Sequence, residues 1–367
     1  MEPQRLPTII VLEEQAPGPK VAGLTLLDRL VVTLHRAGAG SITIVTGKPL
    51  PLLERATALG LRVEVADGPP AGSGPALVVG GGVLVQAGDV RALLARGGRL
   101  ATSSGEALPI GVLSVVDAGW REALDRQTAV VARGAAVRVG DAASARVAER
   151  ALWASLAGSA DGFVDRLFNR PCSRPLSRLL ARTRISPNAV SMISIAIGLG
   201  SAWCFAAGSH LMGIIAGVLF QCSAIVDCVD GDLARVLFKE SRLGQWLDLA
   251  GDQVVHVAVF AAIAIGAARR GDAPWAAWLG ASAVLGALFS FGAVLRGMRR
   301  SARDRSGRMQ KLIDAVTNRD FSVLLLVLAC LDRVGWFLWL CAIGSHAFWI
   351  AALGLQRGAL GKEALRR

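Results

Sequence analysis

Asp227-Cys228-Val229-Asp230-Gly231-Asp232-Leu233-Ala234-Arg235, followed after eight residues by Gly244-Gln245-Trp246-Leu247-Asp248-Leu249-Ala250-Gly251-Asp252, sets carboxylates and an arginine inside two long apolar stretches. Charged groups are costly in hydrocarbon, so those retained there mark a working site. At about 100° per residue, Asp227, Asp230, Gly231 and Ala234 share one helix face, while Gly244, Asp248 and Asp252 line a second at i, i+4 and i+8. Two acidic faces can therefore meet across one helix pair. Carboxylates packed together repel and gain protons unless cations lie between them, and an all-oxygen ligand set suits hard divalent ions, Mg2+ or Mn2+. Glycine and alanine let a phosphorylated ligand approach the backbone, and Arg235 offers a fork of donors suited to phosphate. Together these make a two-metal phosphoryl-transfer site. Carboxylates serving as helix glue would need neither the glycines nor the arginine. An intramembrane cation or proton path would not place Arg235 beside its ions.

The surrounding composition is that of a membrane protein. Of 367 residues 53% are hydrophobic, mean hydropathy is +0.49 and the formal charge is +12, a combination foreign to soluble domains. The apolar stretches follow residue 188 and predict spans at 189–208, 211–235, 243–268, 273–298, 320–333 and 335–357. Asp332 and Arg333 interrupt the short fifth span. Lys239 and Arg242, and a second group running from Arg296, Arg299 and Arg300 through Arg303, Arg305, Arg308, Lys311 to Arg319, assign their loops to the cytoplasm. Both termini and the aspartate end of the second and third spans then face the cytoplasm of a bacterial or archaeal cell. Met1 to Pro19 has no secretory pattern. Cys172, Cys204, Cys222, Cys228, Cys330 and Cys341 lack paired spacing and read as small packing residues.

The first 150 residues obey a different grammar. Apolar runs at Thr8–Leu12, Ser41–Val45, Arg62–Val65 and Ala76–Val79 alternate with helical stretches Leu24–Ala37 and Pro51–Leu59, predicting a small α/β domain with a mostly parallel sheet. Between it and the spans, Asp161 to Arg184 mixes leucine and arginine as an amphipathic helix on an anionic membrane surface does. The expected fold is an α-helical integral membrane bundle of six transmembrane helices, preceded by a small soluble α/β domain. Its parts are residues 1–150 (α/β), 151–187 (linker and juxtamembrane helix), 188–358 (bundle) and 359–367 (basic tail).

The aspartate stretch matches every fixed position of D-x2-D-G-x2-A-R-x8-G-x3-D-x3-D and so resembles the CDP-alcohol phosphotransferases (CDP-alcohol phosphatidyltransferase family). The resemblance implies transfer of a substituted phosphate from a CDP-alcohol to an acceptor alcohol, with release of CMP. Asp227, Asp230, Asp248 and Asp252 would hold two divalent cations, Mg2+ or Mn2+, and Asp252 would also be the base. Gly231, Ala234, Arg235 and Gly244 would bind the CDP moiety. Asn188, after Ser186-Pro187, matches a Pro-Asn pair common beside the family's nucleotide pocket. Arg296, Arg299 and Arg300 are candidates for an acceptor phosphate. His256 reads as a helix-to-helix partner, and Asp232 as a polar residue near the loop.

Pro19-Lys20-Val21-Ala22-Gly23-Leu24-Thr25-Leu26-Leu27 and the elements after it resemble the sugar-phosphate nucleotidyltransferase fold. The fusion looks like the bifunctional inositol-phosphate cytidylyltransferases/di-myo-inositol-phosphate-phosphate synthases, in which one half makes a CDP-polyol and the other consumes it. This chain departs from them. Glu13-Glu14 stands where a basic phosphate loop is expected, and Val78-Val79-Gly80-Gly81-Gly82 lacks the metal-binding carboxylate. Lys20 remains available to a phosphate. A degenerate domain kept for packing, regulation or partner contact is expected. Donor (CDP-diacylglycerol or a CDP-polyol) and acceptor stay open, as do a phosphatidyl polyol phosphate synthase and an inactive membrane anchor. Partners are membrane lipid and a second copy in a homodimer, without nucleic acid.

Overall fold

The computed structural model describes residues 6–11, 19–68, 74–117, 119–156, 164–271, 274–301 and 321–364. Two compact units emerge: Met1–Ala157 with Ala181–Thr183 and Arg235–Phe238, and Gly158–Leu180 with Arg184–Ala234 and Lys239–Arg367.

The first unit is built on a seven-stranded sheet in the order β10-β8-β9-β6-β1-β4-β5. Its strands are β1 Thr8–Val11, β4 Ile42–Val45, β5 Glu64–Ala66, β6 Ala76–Gly80, β8 Arg99–Ala101, β9 Ala107–Leu113 and β10 Ala129–Val131. All pairings are parallel except those of β9, antiparallel to both β6 and β8. β6 is buried throughout, as a strand covered on both faces must be. Its alternation feeds two cores. Leu77 and Val79 join Leu27, Leu30, Val31 and Leu34 of α1 (Leu26–Ala37). Ala76 and Val78 join Trp120 and Leu124 of α4 (Trp120–Asp125) on the other side. α2 (Glu54–Ala58), α3 (Ala87–Arg96) and α5 (Ala142–Ser155) complete the helices, and the small ribbon β7 (Val83–Leu84) with β11 (Val137–Arg138) lies apart from the main sheet.

The helix expected from Leu24 begins two residues later. Lys20–Val21 (β2) and Leu24–Thr25 (β3) form a hairpin whose turn, Ala22 (φ 46) and Gly23 (φ 83), has the twist that two-residue hairpins require. Thr25 then accepts the Asp28 amide and caps α1. Lys20 is an exposed strand residue. The expected loop Glu13–Gly18 lies outside the described residues, as does the basic loop from Arg303 to Arg319.

In the second unit, a π-helical turn Asp165–Asn169 runs into α6 (Arg170–Leu180), followed by α7 (Pro187–Ala206), α8 (His210–Val236), α9 (Arg242–Arg270), α10 (Ala276–Ser301), α11 (Phe321–Cys330) and α12 (Val334–Ala364). α8 crosses from the second unit into the first at Arg235. Among the described residues, five helices are long and apolar enough to cross a membrane; α11, the expected fifth span, is described over ten residues only. Small residues set the packing. A Cβ on Gly198 of α7 would lie 2.6 Å from Val255 of α9, one on Gly251 would overlap Ile195, and one on Gly280 of α10 would overlap Ala264. Phe220, Phe260 and Phe321 surround His256 at ring-centroid distances of 6.4, 6.2 and 5.2 Å. All six cysteines are free; Cys204, Cys228 and Cys341 are partly buried, whereas Cys172, Cys222 and Cys330 are exposed, so interior packing accounts for only the first three.

The π-helical turn and α6 bury a polar stripe. Asp165, Asn169, Ser173 and Ser177 recur every four residues and are buried, while Leu167, Phe168 and Leu179 are exposed. Asn169 donates to Asp165 at 2.8 Å and accepts from Gln221 of α8 at 2.6 Å. Asp232 corrects the sequence reading. It is 2% exposed, forms an ion pair with Arg170 at 2.5 Å and accepts the Ser177 hydroxyl at 3.3 Å. Its helix face is the one α6 covers, which a projection of α8 alone does not reveal.

Candidate active site

Two helix starts and the end of α8 bring the site together. Ser186 caps α7, accepting the Ala189 amide, and Pro187 occupies the first turn, where its missing N–H costs nothing. Ser241 caps α9, accepting the Gly244 amide at 2.9 Å. Asn188 and Gly244 therefore sit in first turns, and these turns are neighbours: a Cβ on Gly244 would be 3.0 Å from Asn188 Oδ1. The same Cβ would be 3.1 Å from the Ser241 hydroxyl, so a side chain there would press on both.

Further along, Asp227 and Asp230 of α8 and Asp248 of α9 each offer a carboxylate oxygen, all within 4.8 Å of one another. Asp230 is buried, Asp227 half-buried and Asp248 exposed, so the group opens toward Asp248. Asp252, one turn beyond Asp248 and half-buried, is not part of that group. Gly231 and Ala234 follow on α8 at intermediate burial, and Arg235 is exposed in its last turn.

Two serines of α7 were missed from the sequence. Ser191 donates to Asp230 Oδ2, and Ser194 reaches Asp227 Oδ1 at 3.5 Å and the Ser223 carbonyl at 3.0 Å. The signal was present: Asn188, Ser191, Ser194, Gly198 and Ser201 recur at helical spacing along one face of an apolar helix. Arg296 is exposed on α10; of Arg299 and Arg300 only the helical backbone is described.

The donor set suits a hard divalent ion. Three carboxylates converge without sulfur or imidazole, and the hydroxyls of Ser191 and Ser194 orient two of them. In the first unit, the glycines at the end of β6 have an ordinary use. A Cβ on Gly80 would be 2.9 Å from Pro109, and one on Gly82 would be 2.7 Å from the Val139 carbonyl, so the chain itself fills that space.

The sequence pattern of the CDP-alcohol phosphatidyltransferase family matches residues 184–356. The bifunctional IPC transferase and DIPP synthase of Rubrobacter xylanophilus is 30% identical over 341 residues, covering 74% of this chain and 77% of that protein. The archaetidylinositol phosphate synthase of Pyrococcus horikoshii is 31% identical over 96 residues, 26% of this chain and 50% of that one. A solved phosphatidylinositol phosphate synthase of Mycobacterium tuberculosis, in complex with manganese and citrate, superposes with a TM-score of 0.37 at 17% identity, over 50% of this chain and 87% of that chain. The chain belongs to the CDP-alcohol phosphatidyltransferase family. It is a membrane-associated transferase of the class that moves a substituted phosphate from a CDP-alcohol to an alcohol and releases CMP.

Proposed function

We propose that the chain transfers a polyol-phosphate or phosphatidyl group from a CDP-linked donor to an inositol-phosphate-like acceptor, at the cluster of Asp227, Asp230 and Asp248. The convergence of their oxygens within 4.8 Å carries this reading. Divalent cations held there would offset charge on the donor phosphates as CMP departs. Asp252 completes the acidic face of α9 and takes the proton of the acceptor hydroxyl. The acceptor oxygen bonds to the β-phosphorus while the bond from that phosphorus to the CMP oxygen breaks. Arg235 steadies the pyrophosphate through its fork of donors. Gly231, Ala234 and Gly244 leave room for the nucleotide, and Asn188 contacts it from the adjoining first turn. Arg296, Arg299 and Arg300 receive the acceptor phosphate.

The inositol-phosphate branch rests on likeness to the Rubrobacter protein over most of its length. CDP-diacylglycerol as donor is the second reading, favoured by the first unit. Gly80 and Gly82 are packed against the chain and no carboxylate stands among them, which supports a degenerate nucleotidyltransferase-like domain unable to make a CDP-polyol. We place both termini and the carboxylates on the cytoplasmic side of a bacterial or archaeal membrane, count α11 as the sixth span, and expect a homodimer.

The test is CMP release by the purified full chain with Mg2+, offering CDP-diacylglycerol and CDP-inositol separately, each with polyol phosphates and lipid alcohols. Release that needs one donor and one acceptor and vanishes in Asp252→Asn supports the reading and selects the donor. Release that survives Asp252→Asn sinks the role of Asp252, and silence with every pair favours a membrane anchor.

A further inference from the structure

Helix α8 is closed by a residue that rarely fills such a cap. Phe238 has φ 55, the left-handed conformation usually left to glycine after a helix. The Lys239 amide bonds to the Ala234 carbonyl at 2.8 Å and the Phe238 amide reaches that of Arg235 at 3.4 Å, the paired closure of a Schellman cap. A bulky residue held there is strained, and persists only where its surroundings overdetermine it.

Three arginines do so. Arg29 of α1 donates from Nη1 to the Val236 carbonyl at 2.8 Å and from Nη2 to the Val21 carbonyl at 2.9 Å. Arg55 of α2 and, at 3.3 Å, Arg36 of α1 donate to the Phe238 carbonyl. The guanidinium groups of Arg29 and Arg36 lie 5.3 and 4.7 Å from the centre of the Phe238 ring. Asp28 accepts the amides of Arg55 and Ala56 at 2.7 and 2.8 Å, which fixes the start of α2 and so the base of the Arg55 side chain. Arg29 is 2% exposed; burial pushes its guanidinium down to about 10, against Glu149 and Asp28, so it stays charged at neutral pH. A buried charge given over to main-chain carbonyls is a costly way to fill a core, and its carbonyl at Val236 directly follows Arg235.

We propose that Arg29, Arg36 and Arg55 are positioning residues for the transfer reaction: by holding the Val236 and Phe238 carbonyls they fix the last turn of α8, and with it the direction in which Arg235 meets the donor pyrophosphate. This rests on the reading of Arg235 given above. It gives the first unit a use that needs no nucleotide chemistry of its own, a brace for one turn of the signature helix.

Two readouts on the full chain in detergent test it. The first needs no activity: hydrogen exchange of the amides at 235–239 is expected to quicken by about tenfold in R29M and R36A. The second is CMP release. R29M is expected to raise the donor KM by about tenfold with the acceptor KM unchanged, and R29K to recover part of the loss. In the F238G background, where glycine takes the left-handed conformation without strain, R29M should cost less than about threefold. Unchanged exchange in variants that melt like the parent overturns the brace. An equal loss from R29M with and without F238G overturns its action through the cap. If R29M does not fold, R36A, whose side chain is exposed, carries the same measurements. Quickened exchange in a chain that never releases CMP defeats the reading of Arg235 and with it the link to catalysis, while the hold on the cap stands.

Discussion

The Ser191 hydroxyl on α7 is hydrogen-bonded to Asp230 Oδ2 on α8, so the most buried carboxylate of the cluster is oriented from a third helix. A donor of this kind fixes which oxygen faces the ion, and its loss typically weakens metal binding by about 10- to 100-fold. Ser191→Ala should therefore raise the Mg2+ concentration for half-maximal CMP release by about tenfold at the least, with little change at saturating Mg2+. A purely structural serine would leave the metal dependence where it was.

Gly251 allows α9 to approach Ile195 of α7 closely. Gly251→Ala should lower stability by about 1–3 kcal/mol through overpacking, read as a lower melting temperature in detergent. Adding Ile195→Ala should recover much of it. No recovery in the double variant would mean the helices resist the methyl group for another reason.

The Arg170–Asp232 pair is 12% and 2% exposed. Removing one partner leaves an uncompensated buried charge, a loss of about 3–5 kcal/mol, whereas replacing both with apolar groups is close to neutral. Arg170→Met should be severely destabilised, and the Arg170→Met/Asp232→Leu double variant should melt nearer the parent. Equal melting of the two variants would show that the pair is not coupled.

Asp141 caps α5 through a capping box with Ser144. Hydrogen bonds from the Ser144 hydroxyl and amide hold its carboxyl below the usual carboxylate range. The lowered value means its contribution is present above the unfolded value, near 3.8, and is lost as pH falls through the lower folded one. Asp141→Ala should thus melt below the parent at pH 7, and the gap should narrow only below that point. A gap that stays constant into strong acid would show that the carboxylate charge plays no part.

The bundle was legible where sequence broke its own rule. Carboxylates inside apolar runs are so costly that their spacing alone marked α8 and α9 as facing helices. Helix starts were legible too, since Ser186-Pro187 and Ser241 are caps whose chemistry is local. What failed to show depended on neighbours distant in sequence. Asp232 has the same periodicity signal whether it faces a loop or Arg170, and the helical spacing of Ser191 and Ser194 marks a face of α7 without saying which carboxylates it meets. In the first unit, short runs of apolar and β-branched residues announced β1, β4 and β6. The two-residue strand β3 was absorbed into the helix after it, because Leu24 continues its apolar pattern, and β2, its partner, is too short to show a pattern of its own.

The discontinuity of the first unit bears on how the two halves can be inherited. Its residues return to it at Ala181–Thr183 and Arg235–Phe238, long after the continuous part ends at Ala157. Val236 and Leu237, at the end of the signature helix, are 1% and 4% exposed. Residues 235–238 thus belong to the packing of the first unit itself, which ties the sequence of α1 and α2 to that of the last turn of α8 through any recombination of the gene.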